Sequence, residues 1–552
     1  MKKNLSPPFL LSIALFLLLL SGCTDTTPKR EPPAAKAKLV SPSLPTVPVV
    51  AEQGRFGGTL IFGSIKEPVT LNPLLYTDNA SGQIINLIFN GLLKYSPGGD
   101  LEKDLAESYM VNAGGMGALF QIKSGITWQD GAPLTADDIV FTYQEIMKGY
   151  YPHSSYYSLM ERAEKTGPLK VVFRFKEKYA PMLHLFVLKI LPQHLLAGQA
   201  LLTSPFNYEP VGTGPFQLVS WEQGEMLHLT ANSGYHSGRP YVDRFIYRII
   251  PDSSILFFEL MRGQIHFMPL RADQFFTSWG IEKMPASITK HSFDSHDFNL
   301  LGFNLTRPLF QNLKIRQALN YAIDRDKIIE GTLLGMGEKA VGPYHRNHWA
   351  FNRDLKPYPY SPEMAEKLLA SEGYKRNQSG ILEKDGLPFE FTIATNRGDH
   401  ERELICLIIR DDLKKLGIRV NIKTFDWTDI IRNLIRTKNF DVLLIGFGPD
   451  PDPDSIYPLW HSSQCTEGFN FFSYSNPQVD ELLDKGRKTM NQDERKLIYR
   501  EFQKILYDDL PGLFLYHPKL LYGVNSSVRN LRPGPYDFSY EIDKWYFKTD
   551  GP

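Results

Sequence analysis

The chain has 552 residues, of which 42% are hydrophobic, and this is enough for two or more domains with sizeable cores. It carries 61 Lys and Arg against 61 Asp and Glu, so no basic excess points to nucleic acid or another polyanionic partner. Three cysteines in so long a chain exclude a scaffold held together by disulfides.

Residues 1–22 predict an export signal. Lys2 and Lys3 precede an apolar run over residues 9–20, which is too short to span a bilayer as a helix. The Leu-Ser-Gly-Cys that ends at Cys23 resembles the bacterial lipobox, in which the cysteine is acylated and the peptide is cut just before it. We therefore expect lipid chains on Cys23 to hold the protein at a membrane surface outside the cytoplasm. The alternative is an ordinary secretory signal with a chance cysteine.

Residues 23–56 predict an extended tether that begins at the lipidated cysteine. Residues 24–56 contain six prolines and few large apolar side chains, so they cannot bury enough surface to fold. An ordered strand is the alternative for the last few of these residues only.

Strands and helices alternate after the tether. In chain order, the patterns predict strands at 58–63, 170–176 and 244–250, helices at 312–330 and 362–373, a strand at 389–395, a helix at 401–416, strands at 419–425 and 440–447, and helices at 478–490 and 492–510. The strand, helix and strand from 389 to 425 predict one βαβ unit, in which the two strands are parallel.

Motifs of common enzymes and metal sites are absent from the sequence. It contains no His-Glu-x-x-His, no Gly-x-Ser-x-Gly and no Cys-x-x-Cys. A Ser-x-x-Lys begins at Ser287 and a Lys-Thr-Gly begins at Lys165, but this is the wrong chain order for a penicillin-recognising enzyme, and no Ser-Asp-Asn accompanies them. We therefore expect no catalytic residues, no cofactor and no metal.

A series of longer motifs runs through the chain. They are the stretches from Ile126 to Tyr143, Leu191 to Leu195, Pro210 to Phe216, Gly302 to Leu305, Lys314 to Asp324 and Gly446 to Asp454. Together and in this order they resemble the bacterial family 5 solute-binding proteins, the peptide and oligopeptide receptors of ABC importers. The resemblance covers about residues 57 to 525, nearly the whole body of the protein.

The resemblance implies an α/β fold of the periplasmic-binding-protein type, in which two lobes are joined by a two-pass hinge. Lobe I would comprise residues 57–298, with an extra subdomain at about 95–205, together with the returning tail 515–552. Lobe II would comprise residues 299–514. The region of Phe303 and the strand at 516–524 would form the two hinge passes.

The loop after the strand at 440–447 alternates aspartate and proline. Receptors of this family commonly hold the amino terminus of a peptide with an aspartate of this loop, which implies such a role for Asp450 or Asp452. The loop is shorter after Phe447 than in several family members, so both aspartates stay candidates. Asp-Pro alternation also makes solvated turns, which is the alternative.

Nine further residues are candidates because they lie in loops or near strand ends, where open α/β sheets usually bind ligands. They are Phe447, Trp460, Trp427, Asn396, Arg397, Arg402, Glu67, Thr77 and Asp78. An arginine would suit a ligand carboxylate, and the aromatic side chains would wall the cleft. The last three would contribute from lobe I, and core packing is the alternative for the aromatic residues.

The resemblance implies a monomeric receptor that closes on a peptide and delivers it to a two-subunit permease driven by cytoplasmic ATPases. Nickel complexes, heme, opines and oligosaccharides are bound by other members of the family, and they remain alternative ligands. A surface sensor that binds peptides without transport is a second alternative. An extracellular hydrolase on the same scaffold is a third, although the sequence lacks a catalytic constellation.

Overall fold

The structure is a computed structural model, and it describes residues 54–276, 284–448, 450–466, 468–536 and 539–548. The predicted export signal, Cys23 and nearly all of the tether lie outside the described residues. None of the described helices is both long enough and apolar enough to cross a membrane.

The strands of the described residues fall into two groups along the chain. Those before residue 304 are β1 (Thr59–Ser64), β2 (Leu93–Tyr95), β3 (Leu101–Lys103), β4 (Ala106–Val111), β5 (Gly117–Ile122), β6 (Met160–Gly167), β7 (Lys170–Phe175), β8 (Phe216–Glu222), β9 (Met226–Ala231), β10 (Arg244–Ile249), β11 (Phe267–Pro269), β12 (Ile288–Asp294) and β13 (Phe298–Phe303). Those after it are β14 (Gly337–Lys339), β15 (Lys375–Arg376), β16 (Leu382–Lys384), β17 (Leu387–Pro388), β18 (Glu390–Asn396), β19 (Arg419–Phe425), β20 (Val442–Phe447), β21 (Gly512–Asn525), β22 (Val528–Arg529) and β23 (Tyr546–Phe547).

The helices are longer and more frequent in the second half of the chain. They are α1 (Asn79–Ile88), α2 (Ala136–Ile146), α3 (Gln193–Leu196), α4 (Ser253–Met261), α5 (Ala272–Phe276), α6 (Pro308–Gln311), α7 (Leu313–Ala322), α8 (Arg325–Leu333), α9 (Pro362–Ser371), α10 (His400–Lys415), α11 (Trp427–Asp429), α12 (Tyr457–Trp460), α13 (Pro477–Lys488) and α14 (Gln492–Asp509).

One large sheet of 12 strands runs through the molecule. Its path is β19-β18-β20-β13-β21-β11-β1-β10-β9-β8, and β12 and β14 also pair with β21. Strands β18 and β19 are parallel and α10 connects them, which confirms the predicted βαβ unit. Ile405, Ile409 and Leu413 on one face of α10 are buried, because their spacing directs them together into the core.

The long strand β21 joins two portions of this sheet. The first portion contains β1 and β8 to β12, and the second contains β13, β14 and β18 to β20. Its residues from Gly512 to Tyr516 pair with β13, whereas the stretch from Lys519 to Asn525 pairs with β12. Since β12 and β13 are consecutive, the chain passes between the portions at residues 295–297 and again at residues 517–518. The Ser295 backbone N–H donates to the Pro518 carbonyl at 3.3 Å, so the two passes are bonded to each other.

Each portion of the sheet has its own hydrophobic core. Leu60, Phe120 and Phe216 belong to the core of the first portion, and this core extends into a separate antiparallel sheet with the order β4-β5-β7-β6. That small sheet lies within residues 106–175, inside the region predicted as an extra subdomain. Leu301 and Leu513 belong to a core of the second portion.

The helix pattern at 312–330 is interrupted in the structure. Helix α7 ends at Ala322 and α8 begins at Arg325, because the Asp324 carboxylate caps α8 and accepts from the Lys327 backbone N–H at 3.0 Å. The prediction of one continuous helix is therefore wrong. The helices and strands predicted between residues 362 and 510 are confirmed, with ends that differ by no more than 2 residues, whereas the strand predicted at 516–524 begins 4 residues earlier, at Gly512.

Candidate ligand-binding cleft

Asp450 lies where two cavities meet. One cavity has a volume of about 400 Å³ and is lined by residues of both portions of the sheet. The other has a volume of about 260 Å³ and lies mainly against the second portion. The Asp450 carboxylate lines both cavities, and it has no hydrogen-bond or ion-pair partner among the described residues.

Asp450 is exposed to solvent, but it lies within the two cavities and close to many protein atoms. This enclosure, and to a smaller extent the charge of Asp452, raises the pKa of Asp450 to about 6. Ionisation of this carboxyl group therefore carries a free-energy cost. A positively charged group of a ligand would remove this cost.

The charge of Asp450 acts on at least four tyrosines from separate parts of the chain. They are Tyr76, Tyr95, Tyr156 and Tyr536. Burial, followed by the charge of Asp450, raises the pKa of each phenol above its ordinary value. The four hydroxyls therefore stay protonated at neutral pH, and that of Tyr95 is hydrogen-bonded to Nδ1 of His184 at 3.1 Å.

Asp452, the other candidate in this loop, is engaged by a cation. Its two carboxylate oxygens accept from Nη1 and Nη2 of Arg495, each at 2.8 Å, and both side chains are buried. Burial alone would raise the pKa of Asp452, but the charge and hydrogen bonds of Arg495 outweigh it and lower that pKa. Of the two candidates in this loop, Asp452 is thus already paired with a cation, which favours Asp450 as the one that meets a ligand.

Asp454 is engaged as well. One oxygen accepts from Arg487 Nε at 2.8 Å, and the other accepts from the Tyr179 hydroxyl at 2.9 Å. Tyr179 belongs to the region predicted as the extra subdomain, whereas Arg487 lies on α13. The three alternating aspartates thus have three environments, and Asp450 is the one without a partner among the described residues.

Two of the three aromatic candidates reach a cavity. Phe447 and Trp427 line the 260 Å³ cavity, and the Trp427 side chain is 49% exposed. Trp460 is completely buried, and its ring stacks on Phe472 with a centroid distance of 6.0 Å. Trp460 therefore packs in the core and does not wall the cleft, which corrects that expectation.

The candidates at the end of β18 interact with one another and line neither of the two cavities at Asp450. Arg402 donates from Nη1 to Oδ1 of Asn396 at 2.7 Å, and it lies 3.5 Å from a carboxylate oxygen of Asp399. Arg397 is exposed and lies 3.4 Å from Asp426. These arginines have acidic or amide partners and do not reach Asp450, and the expectation that one of them faces a ligand carboxylate stays a prediction.

The segment between β1 and α1, which contains the candidates Glu67, Thr77 and Asp78, reaches the 400 Å³ cavity through residues next to these three. Glu67 accepts from Trp221 Nε1 and from the Gly224 backbone N–H, both at 2.9 Å. Asp78 caps α1 by accepting from the Ser81 N–H at 2.8 Å, and Thr77 is exposed outside the cavities. Their neighbours, which include Tyr76, Asn79 and Gln83, line the 400 Å³ cavity instead.

Asp297 also lines the 400 Å³ cavity, and the sequence reasoning missed it. It directly precedes β13, at one of the two passes between the portions of the sheet. A charged residue at the edge of the fully buried strand β13 is the signal that identifies it. The missed tyrosines carry no comparable signal, because they are dispersed among the 27 tyrosines of the chain.

One group of possible metal ligands lies near the passes. Oxygen or nitrogen atoms of Asp294, Glu338 and His345 lie within 4.8 Å of one another. Lys519 pairs with Asp294 at 2.8 Å, and Arg346 pairs with Glu338 at 2.6 Å. Both carboxylates are thus already neutralised by a cation, and we assign no metal to them.

The mixed α/β fold, with two sheet portions joined by two passes and cavities between them, defines a two-lobed binding protein. The family model described as "Bacterial extracellular solute-binding proteins, family 5 Middle" matches residues 100–468. The chain belongs to this family, as its motifs predicted.

Known relatives agree with this family. The oligopeptide-binding protein AppA of Bacillus subtilis is 31% identical over 559 residues, which cover 99% of each chain. A solved structure of AppA from Bacillus subtilis in complex with a nonapeptide has a TM-score of 0.82 and 32% identity, and covers 90% of this chain and 100% of that chain. NikZ from Campylobacter jejuni in complex with Ni(L-His) has a TM-score of 0.78 and 29% identity, and covers 88% and 99%. The predicted fold is confirmed.

Proposed function

We propose that this protein is the peptide receptor of an ABC importer and that Asp450 binds the ammonium group of the peptide. The Asp450 carboxylate, which has no partner among the residues that the structure describes and lies in the cavity between the lobes, carries the proposal. An enclosed carboxylate needs a positive partner, and an ammonium group supplies charge-assisted hydrogen bonds. The relatives named as oligopeptide-binding support a peptide as the class of ligand.

The receptor would work by closing two lobes around the ligand. We place the hinge at residues 295–297 and 517–518, where the sheet changes its pairing. Contacts between the subdomain and the second lobe would hold the closed form: Tyr179 donates to Asp454, and Glu177 pairs with Lys488 at 2.7 Å. Opening would break these few polar contacts at moderate cost, as reversible binding requires.

The closed receptor would then dock, as a monomer, on a permease whose ATPases drive import, and it would release its peptide uncleaved. Native mass spectrometry of the purified protein tests the class of ligand directly. We expect retained species with peptide masses, since an enclosed ligand dissociates slowly. A nickel complex or another non-peptide compound retained in place of peptides would contradict the proposal.

We also propose that lipid on Cys23 anchors the receptor outside the cytoplasm. The Cys23→Ser variant should appear in the soluble fraction, because several acyl chains at about 0.8 kcal/mol per buried methylene would be lost. Fractionation and peptide titration of the released protein measure the result, and its affinity for peptides should equal that of the anchored form. Retention of the variant in the membrane would count against the anchor.

A further inference from the structure

The 260 Å³ cavity beside Asp450 is mostly apolar, and its polar lining residues are His153, Tyr156, Asp450 and Ser455. It shares Gly448 and Asp450 with the larger cavity, so the two spaces adjoin at the carboxylate. Ile445, Phe447 and Phe471 form part of its wall, and the rings of Phe447 and Phe471 stack with a centroid distance of 6.3 Å. An apolar side chain placed here would leave water without losing hydrogen bonds.

A helical segment supplies a second wall of this cavity. Trp427, Ile431 and Ile435 line it at intervals of four residues, which places them on one face of the segment. Ile430 and Leu434 of the same segment are buried in the core. The segment therefore presents apolar side chains both to the core and to the cavity.

Two of the lining side chains are unusually exposed for large apolar residues. Trp427 is 49% exposed and Phe469 is 46% exposed, and both lie at this one cavity. Apolar surface that is gathered at a concave site generally marks a binding site. Because this surface continues to Asp450, the same ligand can cover it.

The subdomain closes the cavity without adding charge. His153 and Tyr156 line it from that side, and His153 Nε2 lies 3.0 Å from the Tyr76 carbonyl oxygen. Burial lowers the pKa of His153, so its ring is neutral at neutral pH. Among the described lining residues, Asp450 is thus the only one that carries a charge at that pH.

The larger cavity has a different character. Asn79, Gln83, Asn86 and Asp297 line it together with tyrosines, so it offers polar partners for a peptide backbone. The two spaces that meet at Asp450 are therefore suited to two parts of one ligand: the smaller to an apolar side chain, and the larger to a chain of amide groups.

We propose that the 260 Å³ cavity binds the side chain of the ligand's first residue, and that the protein prefers peptides that begin with a large apolar residue such as leucine or phenylalanine. The inference rests on the proposed function, because the ammonium held by Asp450 is bonded directly to the α-carbon that carries this side chain. The rest of the peptide runs into the larger cavity.

A leucine scan through tetra-alanine tests the position. Calorimetric titration of the full chain should show that leucine at the first position binds about 10- to 100-fold more tightly than alanine, as burial of a leucine side chain predicts. Leucine at positions two to four should give a smaller gain. The N-acetylated peptides, titrated in parallel, report whether the ammonium contributes.

Two variants test the cavity itself. Ile435→Trp fills it, and should remove the preference for leucine over alanine at the first position. Ile431→Glu places a negative charge in it, and should favour lysine over leucine at that position. Ile255→Trp, at a 55% exposed position on α4, is the matched control and should change neither preference.

Equal binding of peptides that begin with leucine and with alanine would overturn the inference and leave the proposed function standing. A leucine gain that is largest at another position would do the same. Failure of every peptide with a free amino group to bind would instead contradict the proposed function, and the inference with it.

Discussion

Asp450→Asn should weaken binding of peptides with a free amino terminus by about 10- to 100-fold, the size expected when hydrogen bonds to a charged partner are replaced by neutral ones. Asparagine has nearly the same shape, so the cavity is preserved and only the charge is lost. Calorimetric titration of the wild type and the variant, each freed of endogenous ligand, measures the change.

N-acetylated peptides provide the control for this variant, because they carry no ammonium group. Their affinities should differ between the wild type and Asp450→Asn by no more than about twofold, since no charge-assisted bond is lost. Equal losses for free and acetylated peptides would remove the ammonium assignment.

The pH dependence of binding gives the same experiment a second readout. With the pKa of Asp450 at about 6, the carboxyl group is mostly protonated at pH 5 and mostly charged at pH 7. Affinity for a free-amino peptide should therefore rise over this interval, by up to about tenfold per pH unit below 6. The peptide ammonium stays charged below about pH 7.7. Asp450→Asn should show no such rise in affinity. If the variant shows the same rise as the wild type, the group that titrates is not Asp450.

The elements of the second lobe could be predicted because their signals are local. Ile405, Ile409 and Leu413 follow the helical period, and α9 begins with a serine cap followed by proline. The interruption between α7 and α8 was missed, because Asp324 can either remain within a helix or cap a new one. Which of the two occurs depends on packing around Ile323 and Asp324 that the local pattern does not contain.

The environment of the loop aspartates could not be predicted from the loop. Asp452 acquires its partner from Arg495, 43 positions further along the chain, and Asp454 acquires one from Tyr179, 275 positions earlier. The same limit applies to Tyr536, which comes from the tail of the chain. A short pattern can propose that an aspartate meets a ligand, but only the fold shows which aspartate is already paired.

Asp452→Asn should destabilise the protein by about 3–5 kcal/mol, because it leaves the buried Arg495 without its counter-charge. The pair is bidentate at 2.8 Å, and both side chains are almost completely buried. Chemical unfolding of the Cys23→Ser background, followed by circular dichroism, measures the free energy of unfolding. Arg495→Gln should cost a similar amount, and the double variant should cost clearly less than the sum of the two.

Asp411→Asn is the matched control, because Asp411 and its neighbour Arg410 are about half exposed. It should change the free energy of unfolding by no more than about 0.5 kcal/mol.

The pKa of Asp452 is lower in the folded protein than in the unfolded chain, so the contribution of Asp452 to stability is complete above the unfolded value of about 3.9 and is lost as the pH falls. The stability difference between the wild type and Asp452→Asn should therefore be constant from pH 6 to 8 and shrink under acid. Asp452→Asn should also keep the discrimination between free and acetylated peptides, because that discrimination resides in Asp450. A variant that is fully stable but no longer distinguishes the two peptides would show that Asp452, and not Asp450, meets the ammonium group.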